Sequence, residues 1–336
     1  MKAQEEQFEL SPVSKKDSKD LVYKSNVLVN GKYDITMVQA RFLVFVSSLV
    51  NAYDENFFKY QIQTSTVLDY LGIDRANIKW LVGTLTKLQT SLVCLQDDNE
   101  AIEYATFLGW FRLDKKNDLL EFRFDASMKP HYLQLKNNFV TLEKNKYLDF
   151  TSMYTVKFYE YIKYNYQLFE RYKNNAYREF EVDLEDFVKQ FASTYDHKKG
   201  AFQVPKSYLQ YKNFKQFVLE VAQKELKEKN DIYFEFEEIK VNRAVRRLLI
   251  TIKQNREVIK KNFADKKKKE LQSTAKHKQI AQEQIKRLMS RNKDKIKDPL
   301  KYEQKLFGMY LNNTLVYDKD LQEIIEQLDK KIFDSL

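Results

Sequence analysis

Residues 211–253, YKNFKQFVLEVAQKELKEKNDIYFEFEEIKVNRAVRRLLITIK, change period partway through, and that change decides the fold. In the first half Phe214, Phe217, Val218, Val221, Glu225 and Leu226 recur at helical spacing, and they form the expected buried face of a helix ending near Lys227. Ser207, just upstream, is its expected cap. In the second half the period drops to two. Ile232–Phe236 and Val245–Ile252 alternate as strands, with Lys240-Val241-Asn242-Arg243 at the turn between them. Working outward, a loop through Gly200 and Pro205 precedes the long helix. Before the loop, Asp183 caps a short helix, Leu184–Ala192, whose stripe is Leu184, Phe187, Val188 and Phe191. Thr151–Tyr166 reads as an aromatic-rich helix, with Tyr154, Phe158, Tyr161 and Ile162 packing inward.

The same order occurs earlier in the chain. Ile35–Val50 is helical with Thr36 as cap, and Thr64–Leu71 is a short helix closed by a turn at Gly72-Ile73-Asp74. Arg75–Leu88 is a second helix with the stripe Ile78, Leu81, Val82, Leu85 and Leu88. Strand signals follow at Ser91–Leu95, Ala105–Leu113 and Leu119–Phe124, with a hairpin turn in Asp114–Asp118. In the last strand Leu120, Phe122 and Phe124 face one way, Glu121 and Arg123 the other. Helix, helix-turn-helix and β-hairpin thus appear twice, about 130 residues apart. The expected fold is α+β and helix-rich, with two tandem winged-helix domains plus a helical C-terminal extension. The expected boundaries are a flexible arm at 1–20, a first winged helix at 21–135, a second at 136–253 and a basic helical extension at 254–336.

Composition narrows the function. The 336 residues contain one cysteine, Cys94, and three scattered histidines, so neither a disulfide nor a zinc site is expected. The six glycines never form GxGxxG, and GxxxxGK[ST] is absent, which excludes the usual phosphate-cradling loops. No cofactor and no metal are expected. The 22 tyrosines lie at packing positions and no two histidines are close, so a tyrosine-dependent nicking enzyme is disfavoured and no catalytic residue is assigned. With no apolar run of about 18 residues and a polar start, a cytoplasmic protein without membrane contact is expected.

The net charge of +10 is local. Residues 254–301 carry 16 Lys+Arg against 6 Asp+Glu, whereas 302–336 carry 4 against 7. A basic block of that kind attracts polyanions and releases counterions on binding, although a lysine-rich face is also an ordinary solvated surface. Double-stranded DNA is the expected partner. On the long helix of the second domain the polar face is Lys212, Asn213, Lys215 and Gln216, followed by Glu220 and Gln223. Asn213 and Gln216 suit base edges, since an amide pairs bidentately with adenine. Lys212 and Lys215 suit guanine or phosphate. Lys240 and Arg243 of the wing suit phosphate, which fixes register without specifying sequence. In the first domain Arg75, Asn77, Lys79 and Lys87 project from the second helix. There Trp80 shares the face or packs under the wing, and a groove role and a solvated role weigh equally. This domain is expected to make fewer base contacts, and its hydrophobic hairpin to supply a dimer surface.

Three blocks are similar to a known family. They are Val22-Tyr23-Lys24-Ser25-Asn26-Val27-Leu28 running on to Ile35-Thr36 and Gln39-Ala40-Arg41-Phe42-Leu43; Ser152-Met153-Tyr154-Thr155-Val156-Lys157-Phe158-Tyr159-Glu160; and Tyr211-Lys212-Asn213-Phe214-Lys215-Gln216-Phe217-Val218-Leu219 with Ala222, Glu225 and Leu226. In this order, across about residues 21–253, the chain resembles the iteron-plasmid replication initiators, which are tandem winged-helix proteins. The resemblance implies sequence-specific binding to direct repeats at a plasmid origin, origin opening, recruitment of the host initiator and replicative helicase, and autorepression by a homodimer in equilibrium with the monomer. A transcriptional regulator using the same two domains only at a promoter is the alternative. The chain departs from the family at two places: Lys215-Gln216-Phe217 stands where the family often has arginines, so its base preference does not carry over, and Asn242, which tolerates the left-handed conformation of a tight turn, stands for a common wing glycine.

Overall fold

Alternation of Tyr60 and Ile62 in one short run, and of Phe180 and Val182 in another, produces a strand immediately before each helix-turn-helix, and these two strands organise the sheets. The computed structural model describes residues 20–262, apart from 52, 136 and 137, together with 10–12, 264 and 286. In chain order the first part holds β1 (Leu10–Pro12), β2 (Leu21–Ser25), α1 (Asn26–Asn30), β3 (Lys32–Tyr33), α2 (Met37–Ser47), β4 (Lys59–Gln63) and α3 (Thr64–Leu71). A 3₁₀ turn at Arg75–Asn77 then leads into α4 (Ile78–Thr90), β5 (Leu92–Asp97), β6 (Ile102–Thr106), β7 (Leu108–Asp114) and β8 (Leu119–Phe124). After α5 (Lys129–Tyr132), β9 (Phe139–Glu143) and α6 (Lys146–Asp149) comes the 20-residue helix α7 (Met153–Tyr172). The last part runs β10 (Glu179–Asp183), α8 (Leu184–Ala192), β11 (Thr194–Asp196) and β12 (Ala201–Gln203). A long helix follows, α9 (Tyr211–Phe214), a π turn (Lys215–Leu219) and α10 (Glu220–Lys229), and then the hairpin β13 (Ile232–Val241) and β14 (Ala244–Gln254).

The winged-helix reading holds, and the two copies share one topology. In the first, β4 pairs with β8 and β8 with β7; in the second, β10 pairs with β14 and β14 with β13, every pair antiparallel. In each set of three the strand latest in sequence, β8 or β14, lies between the other two. The caps form where the sequence predicts them. Thr36 and Gln39 build a reciprocal capping box at the start of α2, Gly72 closes α3 at φ +69°, and the Asp183 side chain accepts from the Glu185 and Asp186 backbone amides.

Four local expectations are corrected. The run Ala105–Leu113 is two strands, β6 and β7, broken at the buried Phe107. Ser207 does not cap the long helix: Lys206–Leu209 forms a 3₁₀ turn and the helix starts at Tyr211 without a side-chain cap. Pro130, read as the end of a strand, lies in the first turn of α5, where its missing N–H costs nothing. Phe217 and Val221, read as part of the buried face, are 50% and 37% exposed. The boundary expected at residue 135 falls just before β9, which returns to pair antiparallel with β2.

Two aromatic clusters fill the interior. Phe42, Tyr60 and Phe122 pack beneath the first sheet, with Tyr60 stacked on Phe122 at 5.4 Å. Phe158 of α7 stacks on Phe191 of α8 at 4.0 Å and on Phe234 of β13 at 4.8 Å, joining three elements of the second copy. Fully burying such a ring stabilises by about 1.5–3 kcal/mol. The expected arm at 1–20 is described only at Leu10–Pro12, which pairs parallel to β4, and at Asp20. The expected basic extension lies outside the described residues beyond 262, except for 264 and 286. The described residues up to Val258 form one compact unit, and Ile259 onward falls to a second.

Candidate nucleic-acid interface

A π turn sets the face that the long helix offers to solvent. The Glu220 amide donates to the Lys215 carbonyl, five residues back, so one turn takes up an extra residue. Downstream, the buried set becomes Val218, Leu219, Ala222, Glu225 and Leu226. The exposed set becomes Lys212, Gln216, Phe217, Glu220, Val221 and Lys224, one continuous stripe. Of the four residues assigned to this helix, Lys212 and Gln216 therefore stand free on its outer face. Asn213 is half-buried and its amide donates to the Ser207 carbonyl at 2.9 Å, stitching the 3₁₀ turn to the helix. Lys215 is also turned inward, toward the wing.

That inward turn builds a clasp. Lys215 Nζ donates to Glu238 Oε1 at 2.8 Å, and the Tyr211 hydroxyl donates to the same oxygen at 2.9 Å. The hydrogen bond from Lys215 holds the Glu238 carboxyl below its ordinary value, and the same bond holds the Lys215 ammonium above its own. Lys215 also sits 5.9 Å from the centre of the Phe236 ring. The N-terminal half of the helix and the base of the wing are thus fixed together. Beyond Glu238 the β13–β14 register shifts at Ile239 and Lys240, and the hairpin closes on Asn242 and Arg243 at φ 52° and 69°. Two central residues with positive φ make a type I′ turn, whose twist matches that of the strands. Asn242 tolerates this conformation; Arg243 adopts it at some cost. Lys240 and Arg243 are both exposed.

In the first copy Arg75, Asn77, Lys79 and Lys87 are all exposed around α4. Arg75 lies 3.9 Å from Asp69, and Asn77 precedes α4 without donating or accepting a capping bond. Trp80 does not pack under the wing: it is 46% exposed on the same face as Lys79. The ring that does pack on the hairpin is Trp110, flanked by Lys59 at 5.5 Å and Arg123 at 5.4 Å.

The long helix is tied to the rest of the unit through Glu225. This carboxylate accepts from the Thr151 amide at 2.8 Å, the Thr151 hydroxyl at 2.9 Å, the Ser152 amide at 3.3 Å and Lys229 Nζ at 2.8 Å. It therefore sits at the positive N-terminal end of α7. A second buried centre joins α7 to the first copy. Lys24 Nζ donates to Glu160 Oε1 at 2.7 Å, the Tyr147 hydroxyl donates to the same oxygen, and Tyr33 donates to Oε2 at 3.4 Å. A buried carboxylate with this many donors satisfies its own desolvation cost. At the outer surface Tyr104 stacks on Phe202 at 6.1 Å, and Gln190 donates to Asn30 at 2.9 Å.

Sequence reasoning missed three features here. Tyr211 and Glu238 form the clasp, and their signal is weak because the partners are 27 residues apart. Lys224 carries no sequence signal, because a helical period without the π turn rotates it away from Lys212. The same uninterrupted period puts Phe217 and Val221 in the core.

Among the described residues no group of three His, Cys, Asp or Glu side chains is placed to hold a metal ion, and no helix is long and apolar enough to cross a membrane. Two family models match the chain. The initiator replication protein WH1 model covers residues 21–163, and the initiator Rep protein WH2 model covers residues 199–252. No curated protein matches it.

Proposed function

The chain belongs to the initiator replication protein family of winged-helix, DNA-binding plasmid replication initiators, and from that premise we propose that it binds directly repeated origin sites. In this reading the second winged helix, with the long helix in the major groove and its wing on the backbone, is the main reader. The first winged helix adds DNA contacts and a dimer surface. The observation that carries the reading is the clasped helix–wing pair: a free polar stripe through Lys212 and Gln216 lies beside an exposed basic wing tip, and Lys215–Glu238 fixes the two to each other. Gln216 offers an amide that fits an adenine edge, while Lys212, Lys240 and Arg243 supply charge for guanine or phosphate. Arg75, Asn77, Lys79 and Lys87 give the first copy a smaller contact set.

The activity is non-catalytic and cytoplasmic. Binding to several repeats opens the origin and helps recruit the host initiator and replicative helicase. A dimer in equilibrium with the monomer represses the protein's own gene. The segment beyond 254 adds salt-sensitive affinity through its lysines.

Footprinting on the DNA flanking the gene, at two salt concentrations, tests this. Protection of several evenly spaced direct repeats that survives the higher salt is expected. A lone protected palindrome overlapping a promoter would make the protein a transcriptional regulator instead. Diffuse protection that vanishes with salt would overturn sequence-specific reading altogether.

A further inference from the structure

The exposed stripe of the long helix has an apolar centre that solvent exposure alone does not account for. Phe217 is 50% exposed and Val221 is 37% exposed, one helical turn apart. Around them on the same face stand Lys212, Gln216, Glu220 and Lys224. In an uninterrupted α-helix these two residues would continue the buried row begun by Phe214 and Val218. The π turn at Lys215–Leu219 inserts one extra residue, sends Leu219 into the core in their place and turns Phe217 and Val221 outward. Leu219 and Ala222, both completely buried, fill the core on that side of the helix. A water-facing helix gains nothing from a phenyl ring and a β-branched side chain at those positions.

We propose that Phe217 and Val221 read thymine: the ring and the isopropyl group pack against the C5-methyl groups of thymines in the major groove. The proposal rests on the reading of this helix as the groove element. It names the base class that the polar residues beside them do not specify. Three observations favour DNA over a second protein chain as the occupant. The apolar pair lies within a polar stripe rather than on a broad apolar face. Lys212 and Lys224, both exposed, bracket it in sequence and give the stripe two cations that suit phosphate. The wing clasped to the same helix by Glu238 carries the exposed Lys240 and Arg243. Thymine is also the one base whose major-groove edge presents a methyl group, so an apolar side chain discriminates it from the other three. With Gln216 one residue away, the expected submotif is an adenine beside one or two thymines.

The test uses the full chain and a site selected from random-sequence DNA. Each thymine in that site is replaced singly by deoxyuridine, which deletes the methyl group and leaves every hydrogen-bonding atom in place. At one or two positions the replacement should weaken wild-type binding by about threefold to tenfold, the value of one buried methyl contact. At those positions Phe217→Ala or Val221→Ala should bind thymine and deoxyuridine equally. Wild-type protein that binds an all-deoxyuridine site as tightly as the thymine site would overturn the proposal. Two results then separate its failure from that of the underlying reading. If deoxyuridine is silent but Gln216→Ala relaxes discrimination at one position, methyl reading falls and groove reading stands. If neither change alters any preference, the helix is not in the groove and both fall. A Phe217→Ala change that shifts only the sedimentation of the protein, with deoxyuridine sensitivity intact, assigns the pair to a second copy and also overturns the proposal.

Discussion

Lys215 Nζ and Glu238 Oε1 lie 2.8 Å apart and join the long helix to its wing, so a lysine whose spacing suggested a direct DNA contact is paired within the protein. The pair is partly exposed, and an exposed ion pair contributes little to folding. Its consequence is for binding, because the Glu238 carboxylate and a DNA phosphate compete for one ammonium. Glu238→Gln should therefore strengthen DNA binding by about threefold to tenfold at low salt and make affinity fall more steeply with salt, as one more lysine becomes available to phosphate. Lys215→Ala should weaken binding without changing base preference. Fluorescence anisotropy on the selected site across a salt series measures both. An unchanged slope in Glu238→Gln would show that Lys215 stays off the DNA.

Arg243 holds φ 69° in the second central position of the wing turn, a conformation that costs a residue with a side chain and that glycine takes freely. Arg243→Gly should raise folding stability by about 0.5–1 kcal/mol, because relief of strain exceeds the entropy that glycine adds to the unfolded chain. The same change should weaken DNA binding and reduce the salt slope by about one charge. Urea unfolding and anisotropy on the same preparation check the two together. A variant that gains stability while keeping full affinity would place the wing tip away from the backbone.

These residues also show what the sequence makes legible. The caps at Thr36, Gly72 and Asp183 were readable because each depends on a side chain or a backbone freedom within three or four residues. The duplicated fold was readable because both copies repeat the same switch of hydrophobic period. The strands β4 and β10 left an alternating signal at Tyr60/Ile62 and Phe180/Val182, but five residues running straight into a helix are easily absorbed into it. The π turn left none. It is a slip of one hydrogen bond from i−4 to i−5, decided by how Val218 and Leu219 both reach the core, and that is a tertiary effect. Every side chain from within the turn onward inherits the rotation, so an uninterrupted helical period puts Phe217 and Val221 on the wrong face. The clasp between Lys215 and Glu238 was hidden for a related reason: strand register, not local pattern, brings Glu238 to the helix.

Glu225 links the long helix to the first turn of α7, and it should govern the acid stability of the second winged helix. Burial pushes its carboxyl up, but hydrogen bonds from Lys229 and Thr151 outweigh burial and pull it from 4.5 to about 2. A carboxyl lower in the folded state than in the unfolded state stabilises above its unfolded value, and loses that stabilisation as pH falls through its folded one. The contribution is therefore complete above about pH 4.5 and erodes toward about pH 2. Glu225→Gln should cost about 1–3 kcal/mol at pH 7, the value of hydrogen bonds to a charged group. It should also flatten the stability profile between those two pH values. Thermal unfolding of both proteins from pH 2.5 to 7 tests this. Parallel profiles would remove Glu225 as the source of the acid sensitivity.

Lys157 gives a slope of the same sign at alkaline pH, but from a charge that costs stability instead of supplying it. Its ammonium lies 4.9 Å from the centre of the Tyr33 ring, near the buried Lys24–Glu160 pair. Burial lowers it from 10.5 to about 8, against the pull of Asp34 and Glu160. Near pH 7 both folded and unfolded chains carry the proton, and the folded one bears the desolvation cost. Between about pH 8 and pH 10.5 the unfolded chain holds more protons than the folded chain, so stability should rise with pH through that window. The neighbouring tyrosines Tyr33 and Tyr147, raised above 10 chiefly by burial, reverse the trend once the unfolded chain begins to lose their protons. Lys157→Met keeps the apolar stem and removes the charge. It should stabilise by about 1 kcal/mol at pH 7, a figure discounted for the partial exposure of the side chain, and should abolish the rise up to about pH 10. Urea titrations at pH 7, 8.5 and 9.5 read both effects. A loss of stability at pH 7 would mean that the ammonium's attraction to the Tyr33 ring and Glu160 outweighs its burial.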